Sequence, residues 1–387
     1  MKHMIIWLSF GLCYLGTGIF LDHRISDAEA RKEYLLPGDV KEGWKVFNTK
    51  KCSECHSIWG EGGKGGPDLG SLPQFYVSQA QLAALMWNHG PEMWGRMVAR
   101  KIPFLKIDQR EMSDLFAFLY FIRYIDEPGD AQKGKILMET KGCIRCHPAK
   151  EGTKGDLSRW GMHINSILWA QLMWNHAPQM ELEMKKRGVL PSEFRGNEMA
   201  DLIAYIRTLN PSAEKVYLSP GDPQSGRATF TQKGCIRCHS PQGPLDLTKK
   251  REFPRTLTQL AGTMWNHSHE MTKEMEKKAM ERPSLSSKEM ADLVAYLFSI
   301  RYFDEPGNPE RGKNIFANKQ CVLCHSKGSK NDLSGLKGRI SPIFMAQAMW
   351  EHGPEMLEKM RKAKIPWQRI DGKETVDLME YLNGGML

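Results

Sequence analysis

Four pentapeptides of the form Cys-x-x-Cys-His occur in the chain of 387 residues. With this spacing, two thiols can form thioethers with the vinyl groups of one haem, and the adjoining histidine can bind its iron. Four copies within the same surrounding pattern predict four covalently attached c-type haems (haem c, with iron). The residues concerned are Cys52, Cys55, His56, Cys143, Cys146, His147, Cys235, Cys238, His239, Cys321, Cys324 and His325.

A zinc or iron–sulfur site is the alternative for paired cysteines. A structural zinc site closes with four ligands, usually from two pairs that lie close together. Here successive pairs lie about 90 residues apart, and each has its own histidine and methionines, which argues against zinc. Only Cys13 lies outside the pentapeptides, so the sequence contains no disulfide framework. Haem attachment of this kind takes place outside the cytoplasm, which predicts a periplasmic or extracellular location.

A segment of the type Trp-Asn/Glu-His-x-x-x-Met follows each pentapeptide, with another methionine four residues further on. It offers three sets of candidates for the sixth iron ligand. The histidines are His89, His176, His267 and His352, the first methionines are Met93, Met180, Met271 and Met356, and the second methionines are Met97, Met184, Met275 and Met360. Histidine ligation would give bis-histidine haems, whereas methionine raises the potential. The tryptophans are predicted to pack on the haem edge, with the indole N–H directed at a propionate.

The parts of each unit come in one order, which predicts an all-α fold. An opening helix precedes the pentapeptide, and a loop such as Gly66-Pro67-Asp68-Leu69 follows it. A second helix carries the Trp-Asn-His segment, and a closing helix such as residues 198–206 has apolar residues at helical spacing. A glycine recurs within every opening helix, where it costs about 1 kcal/mol relative to alanine, and so indicates a close helix crossing. These glycines are Gly43, Gly134, Gly226 and Gly312.

The units resemble class I cytochrome c domains in their opening helix, C-x-x-C-H, Pro-Asp-Leu-like loop and closing helix. The resemblance covers nearly all of residues 37–387. It implies that a methionine from the loop before the last helix binds iron. Small members of that family often have an Asn-Gly step five residues before this methionine. Aligning Asn88 with that asparagine selects the first methionine set, with Met93 as the ligand in the first unit.

The resemblance also implies that a proline carbonyl accepts a hydrogen bond from the proximal histidine and orients its ring. Pro67 matches this role, and Pro244 matches it loosely. The second and fourth loops, residues 155–157 and 331–333, have no proline, so another residue must supply the carbonyl there.

The N-terminal segment predicts contact with a membrane. Residues 4–21 contain no charged side chain and follow a lysine, which is typical of a membrane anchor or a signal segment over residues 1–24. An uncleaved anchor is the favoured interpretation, because no small-x-small cleavage site follows closely. A polar connector then spans residues 25–36. Proline- and glycine-containing joints divide the rest into four haem domains: residues 37–127, 128–218, 219–305 and 306–387.

The charge balance and the ligand pattern together predict the function. A net charge of +9 favours acidic partners or anionic lipid, and the chain lacks the basic, aromatic-interleaved stripe of a nucleic-acid binder. Every unit has a candidate sixth ligand, which favours electron transfer over substrate chemistry. We therefore expect a tetrahaem relay between a membrane-bound donor and an acceptor, as a subunit or anchored partner of a respiratory or photosynthetic complex. The alternative is a haem enzyme, such as a peroxidase or small-oxyanion reductase, with one reactive haem.

Overall fold

The computed structural model describes residues 38–70, 78–125, 128–148, 155–158, 164–209, 221–240, 243, 245–247, 254–300, 304–336 and 340–384. Helices dominate these residues, which confirms the all-α prediction, with one short antiparallel hairpin added. Its strands are β1 (Ser57–Ile58) and β2 (Glu61–Gly62). The predicted anchor and connector lie outside the described residues. None of the helices in the described ranges combines the length and apolarity that a membrane span requires.

An arrangement of opening, middle and closing helices occurs four times, and we number its copies as repeats. The middle helix is divided in two in repeat 3, and the pentapeptide adds a short helix in repeat 4. Repeat 1 (residues 38–125) contains α1 (Val40–Thr49), α2 (Gln79–Ala99) and α3 (Gln109–Tyr124). Repeat 2 (128–209) contains α4 (Ala131–Thr140), α5 (Ser166–Lys186) and α6 (Glu198–Thr208). Repeat 3 (221–300) contains α7 (Pro223–Gln232), α8 (Leu257–Asn266), α9 (Ser268–Lys277) and α10 (Ser287–Ser299). Repeat 4 (304–384) contains α11 (Pro309–Asn318), α12 (Val322–His325), α13 (Pro342–Lys362) and α14 (Gly372–Asn383).

The opening and closing helices of each repeat cross at the recurring glycine, as the sequence predicts. Helix α1 packs on α3, α4 on α6, α7 on α10 and α11 on α14. A Cβ atom built on Gly43 would lie 1.9 Å from the carbonyl oxygen of Asp114. Gly134, Gly226 and Gly312 are equally tight. A side chain at any of these positions would push the two helices apart.

The joints between repeats cap the opening helices. The side chains of Asp130, Asp222 and Asn308 accept hydrogen bonds from backbone N–H groups in the first turns of α4, α7 and α11. The cap residue in turn donates its own backbone N–H to an aspartate of the closing helix. These donor–acceptor pairs are Asp39–Asp114, Asp130–Asp201, Asp222–Asp292 and Asn308–Asp377.

The middle helices pair between repeats that are not all neighbours in sequence. Helix α2 of repeat 1 packs on α13 and α14 of repeat 4, and α13 also contacts α3. Helix α5 of repeat 2 packs on α8 and α10 of repeat 3, and α8 also contacts α6. Repeats 1 and 3 touch where the Tyr120 hydroxyl donates to the Phe298 carbonyl and Tyr124 stacks on the Phe298 ring. The four repeats belong to one compact unit.

Candidate functional site

Each pentapeptide forms a single helical turn after a residue in the left-handed region. That residue is Lys51, Gly142, Gly234 or Gln320, with φ between 63° and 80°. The backbone N–H of the histidine then donates to the backbone carbonyl of the first cysteine, over 2.8 to 3.0 Å. Residues separated by three and four positions share one face of a helix. The turn therefore places two thiols and one imidazole on the same side, as attachment of a single haem requires.

The first thiol of each pair is partly buried within its repeat, and burial controls its chemistry. Burial raises the pKa of Cys52 to about 12. It also raises the pKa of Cys143, Cys235 and Cys321 above the ordinary thiol range. Because the thiolate is the nucleophile in disulfide chemistry, these protonated thiols are poor partners for exchange. None of the eight forms a disulfide with another described cysteine, so each is available for a thioether linkage.

The proximal histidine is oriented in the same way in all four repeats. Its Nδ1 makes a hydrogen bond to a loop carbonyl, 2.9 Å for His56 and Pro67. A carbonyl can only accept, so Nδ1 carries the proton and the lone pair lies on Nε2, where a haem iron would bind. The other three pairs are His147 with Gly155, His239 with Leu245, and His325 with Asn331, at 2.9 to 3.2 Å.

The loop acceptors agree only in part with the resemblance. Pro67 has the implied role in repeat 1. In repeat 3 the acceptor is Leu245, one residue after Pro244. Gly155 and Asn331 supply the carbonyl where the loops have no proline. A backbone carbonyl carries no side-chain signature, which is why the sequence left these two acceptors open.

A buried donor beside the first pentapeptide also fits a haem. Trp59, like Cys52 and Leu69, packs against the apolar core that repeat 1 shares with residues of repeat 4. Its indole Nε1 is buried and makes no hydrogen bond to any part of the chain that the structure describes. Buried indole N–H groups normally find a partner. An acceptor supplied by a bound group, such as a carboxylate, would satisfy it.

The three candidate sets for the sixth ligand lie on one stripe of the middle helix. In α2 the stripe is His89, Met93 and Met97, spaced four residues apart, so each member is about 6 Å further along the helix axis. The histidine is exposed in every repeat and both methionines are partly buried. The resemblance places the ligand on a loop, whereas here both methionines lie within a helix. Because the three side chains lie this far apart along the helix, only one of them at a time can bind a single iron.

The C-terminal half of α2 lies beside the first pentapeptide. Arg96 Nη1 donates to the Gly65 carbonyl over 2.5 Å, and Arg100 Nη1 reaches the Glu54 carbonyl and the Cys55 sulfur. The helix that carries the candidate ligands is therefore fixed directly to the turn that carries the thiols.

For the tryptophans of the Trp-Asn/Glu-His segments, the structure contradicts the predicted direction of the indole N–H. Their indole N–H groups donate to backbone carbonyls of another repeat, not toward a haem propionate. The four pairs are Trp87 with Gln368, Trp174 with Pro283, Trp265 with Ser192, and Trp350 with Leu105, at 2.7 to 3.2 Å. The prediction was wrong because it considered each repeat alone, whereas these donors lie where two middle helices meet.

The asparagine after each of the first three tryptophans completes the contact. Asn88 donates to the carbonyl of Ile370 over 2.7 Å and accepts from its N–H over 3.0 Å. Asn175 makes the same two bonds with Leu285, and Asn266 with Phe194. The held residue always lies two positions after the carbonyl that the tryptophan binds. We call these tryptophan and asparagine bonds the backbone clamp.

A proline lies within three of the middle helices, and in two of them it frees an acceptor for the same contact. Pro91 and Pro178 lack the N–H that would bond to the carbonyl four residues earlier. Those carbonyls belong to Trp87 and Trp174, the clamp tryptophans. Trp367 Nε1 of repeat 4 donates to the first, and Arg282 Nη2 of repeat 3 donates to the second.

A recurring lysine holds the other side of each clamped segment, and sequence reasoning missed it. Lys50 donates to the carbonyl of Lys106 over 2.6 Å and forms an ion pair with Glu111. Lys141, Lys233 and Lys319 do the same in their own repeats, with Glu198, Glu289 and Glu374 as ion-pair partners. Each lysine lies two residues before the first cysteine, and that repeated spacing was the available signal.

Comparison with known proteins identifies one family. The family model described as cytochrome c matches residues 40–120. A cytochrome c from Sesamum indicum is 34% identical over 101 residues, which cover 21% of this chain and 89% of the relative. No solved structure matches the chain. With its attachment turn, oriented histidine and crossing helices, the chain belongs to the cytochrome c family.

Proposed function

We propose that the protein is a tetrahaem c-type cytochrome that relays electrons. Membership of the cytochrome c family implies covalently bound haem c with iron, and electron transfer as the activity. The observation that carries the count of four is the hydrogen bond from Nδ1 of each proximal histidine to a loop carbonyl. A ring that is oriented in this way in all four repeats supports an iron ligand in each of them.

The domain division follows from the same repetition. Haem domains over residues 37–127, 128–218, 219–305 and 306–387 each contain one attachment turn, one middle helix and one glycine crossing. His56, His147, His239 and His325 are the proximal ligands. The haem would supply a one-electron centre, while the chain would hold it covalently and orient the proximal histidine ring.

The first methionine set supplies the sixth ligand in this proposal, as Met93, Met180, Met271 and Met356. A methionine on the same helix face one turn later, such as Met97, is the internal control. Replacement of Met93 with leucine should remove the methionine-to-iron absorption band of one haem and leave three unchanged. Replacement of Met97 should leave all four bands. The opposite result would assign the second set, and no change in either variant would point to the histidines.

The relay is proposed to work at a membrane. The apolar segment 1–24 would anchor the chain and place the haem domains on the periplasmic or extracellular side. Partners would be redox proteins or subunits of a respiratory or photosynthetic complex, and the +9 charge suits acidic surfaces or anionic lipid. Copurification in mild detergent distinguishes a fixed subunit from a free anchored carrier.

Intact mass and the pyridine haemochrome spectrum of the purified full chain test the proposal. Four haem additions per chain and four low-spin haems are the expected result. Fewer additions would show that some turns are not used. A high-spin haem that binds carbon monoxide would instead support the enzyme alternative, because a reactive haem needs an open iron position.

A further inference from the structure

We propose that side chains on and beside the middle helices allow only two pairings, that of repeat 1 with repeat 4 and that of repeat 2 with repeat 3. The partner that each surface accepts is another repeat of this type, with complementary residues at three positions beside the backbone clamp. The clamp itself bonds to backbone atoms and is nearly the same in both pairs. Discrimination must therefore come from the side chains around it. This inference does not depend on the number of haems.

The first position is the crossing point of the paired middle helices. Trp94 of α2 is 7% exposed and its ring lies over Gly90 of the same helix and Gly353 of α13. A Cβ on Gly353 would lie 2.1 Å from this ring. Repeats 2 and 3 have Ala177 and Ser268 at the position of Gly353, so neither can face Trp94. Repeat 1 is thereby restricted to repeat 4.

The second position follows the fourth tryptophan, where glutamate replaces the clamp asparagine. Glu351 Oε1 lies 3.1 Å from Nζ of Lys106 in repeat 1. The residue equivalent to Lys106 is Glu193 in repeat 2 and Ser284 in repeat 3. A pairing of repeats 4 and 2 would set Glu351 against Glu193, and like charges at contact are unfavourable. Repeat 3 would offer Glu351 no charge.

The third position is a polar cluster between repeats 2 and 3. Arg282 lies over the ring of Trp174, 3.9 Å from its centroid, and its Nη1 donates to Ser268 Oγ over 2.9 Å. Ser268 Oγ in turn donates to Glu181 over 2.7 Å. Repeats 1 and 4 have Trp94 and Leu357 at the position of Glu181. Either one would leave Arg282 partly buried without a carboxylate, which is costly.

The first position can be tested by whether one added methyl group stabilises or destabilises the pairing. Alanine is the better helix former, so Gly353→Ala should stabilise the chain wherever the added methyl has room. Against Trp94 it has none, and overpacking of a filled site is destabilising. The reporter is the backbone amide of Ile370, which bonds to Asn88 across the pair. The amides of Leu285 and Phe194 report on the pairing of repeats 2 and 3.

We expect Gly353→Ala in the full-length protein to speed hydrogen exchange at Ile370 about tenfold. Exchange at Leu285 and Phe194 should not change. In a Trp94→Ala background the same substitution should slow exchange at Ile370, so its effect reverses. Gly95→Ala is the matched control, because nothing lies within 4 Å of a Cβ at that position of α2. This control should not speed exchange in either background.

Equal effects of Gly353→Ala with and without Trp94 would overturn the proposal. So would faster exchange at all three reporter amides, since that would mean general loosening and not loss of one pairing. If Gly353→Ala prevents folding, the double variant with Trp94→Ala must restore it for the proposal to stand. Haem content is measured in every variant, so that failure of haem attachment is seen separately.

Discussion

Two pairs of repeats in this molecule share one backbone arrangement but fill it with different side chains. Between repeats 1 and 4, the Trp367 ring lies over Trp87, tilted by 30° with 3.8 Å between ring centroids, and donates to the Trp87 carbonyl. Between repeats 2 and 3, Arg282 takes the same place over Trp174 and donates to the equivalent carbonyl. The contact needs a flat group with an N–H donor, and indole and guanidinium both provide one.

The side chains around this contact also differ between the two pairs of repeats. Trp94 fills the centre of the first interface, where Phe104 also stacks on Trp350. The second interface holds the Glu181, Ser268 and Arg282 network instead. Each solution leaves one buried nitrogen, Trp94 Nε1 or Arg282 Nε, without a hydrogen bond to the described residues. A missing hydrogen bond costs less free energy in an aromatic interface than in a network of charged groups, because a partly satisfied buried charge is costly. The second pair should therefore be the more sensitive to single substitutions.

Removal of Arg282 should give the largest effect. Arg282→Ala removes the flat group over Trp174 and the donor to the Trp174 carbonyl. It also removes the guanidinium that is linked to Glu181 through Ser268. We expect a loss of about 3 kcal/mol in the local stability of the pairing of repeats 2 and 3, measured by hydrogen exchange at Leu285. Arg282→Lys should recover little, because an ammonium cannot stack and fork at once. Arg195, whose side chain is 83% exposed, is the control, and Arg195→Ala should change stability by less than about 0.5 kcal/mol. A loss of stability below about 1 kcal/mol in Arg282→Ala would mean that Arg282, Ser268 and Glu181 do not stabilise one another.

The equivalent change in the aromatic pair should have a smaller effect. Trp367→Ala removes a half-buried ring and one donor without exposing a charge. We expect about 2–3 kcal/mol, read from exchange at the Ile370 amide. Trp367→Arg copies the solution of the other pair, but Trp94 of repeat 1 lies where Glu181 would be needed. It should therefore do no better than alanine. If arginine fully replaced tryptophan there, the two interfaces would be interchangeable and the contrast between them would be wrong.

Much of the fold could be predicted from the sequence because it depends on local spacing. The attachment turns, the crossing at Gly43 and its equivalents, and the closing helices all follow from residues a few positions apart. The pairing could not, because Trp87 and Asn88 bond to the backbone some 280 residues away, at Gln368 and Ile370. Backbone acceptors leave no mark on residue type. For the same reason the tryptophans were assigned to the haem and not to the interface.

Loss of one clamp asparagine should cost about the same in either pair. Asn88→Ala and Asn175→Ala each leave one backbone N–H and one carbonyl without partners in a partly buried interface. We expect about 2 kcal/mol for each, because unsatisfied buried groups are costly. Differential hydrogen exchange at Ile370 and Leu285 measures the two effects independently. A large difference between the variants would show that the clamp is not the shared part of both interfaces.

The smallest effect should come from Glu351, the residue that departs from the clamp. The hydrogen bond from Lys106, followed by that from Gln347, holds the pKa of Glu351 below its usual value of about 4.3. A lowered pKa in the folded state gives a stabilisation that is complete above the ordinary value and is lost as the pH falls through the lowered one. The pairing of repeats 1 and 4 should therefore weaken slightly as the pH falls below the ordinary glutamate range and through the lowered pKa of Glu351, and less so in high salt. Glu351→Gln should remove this dependence.

Glu351→Asn should also remove this pH dependence while setting an amide against the backbone of Ile107, the position equivalent to Ile370. A small gain in stability with asparagine, independent of pH, would show that repeat 4 gives up one clamp in exchange for a charge that selects its partner. A loss with asparagine would show that the fourth site is shaped for the carboxylate alone.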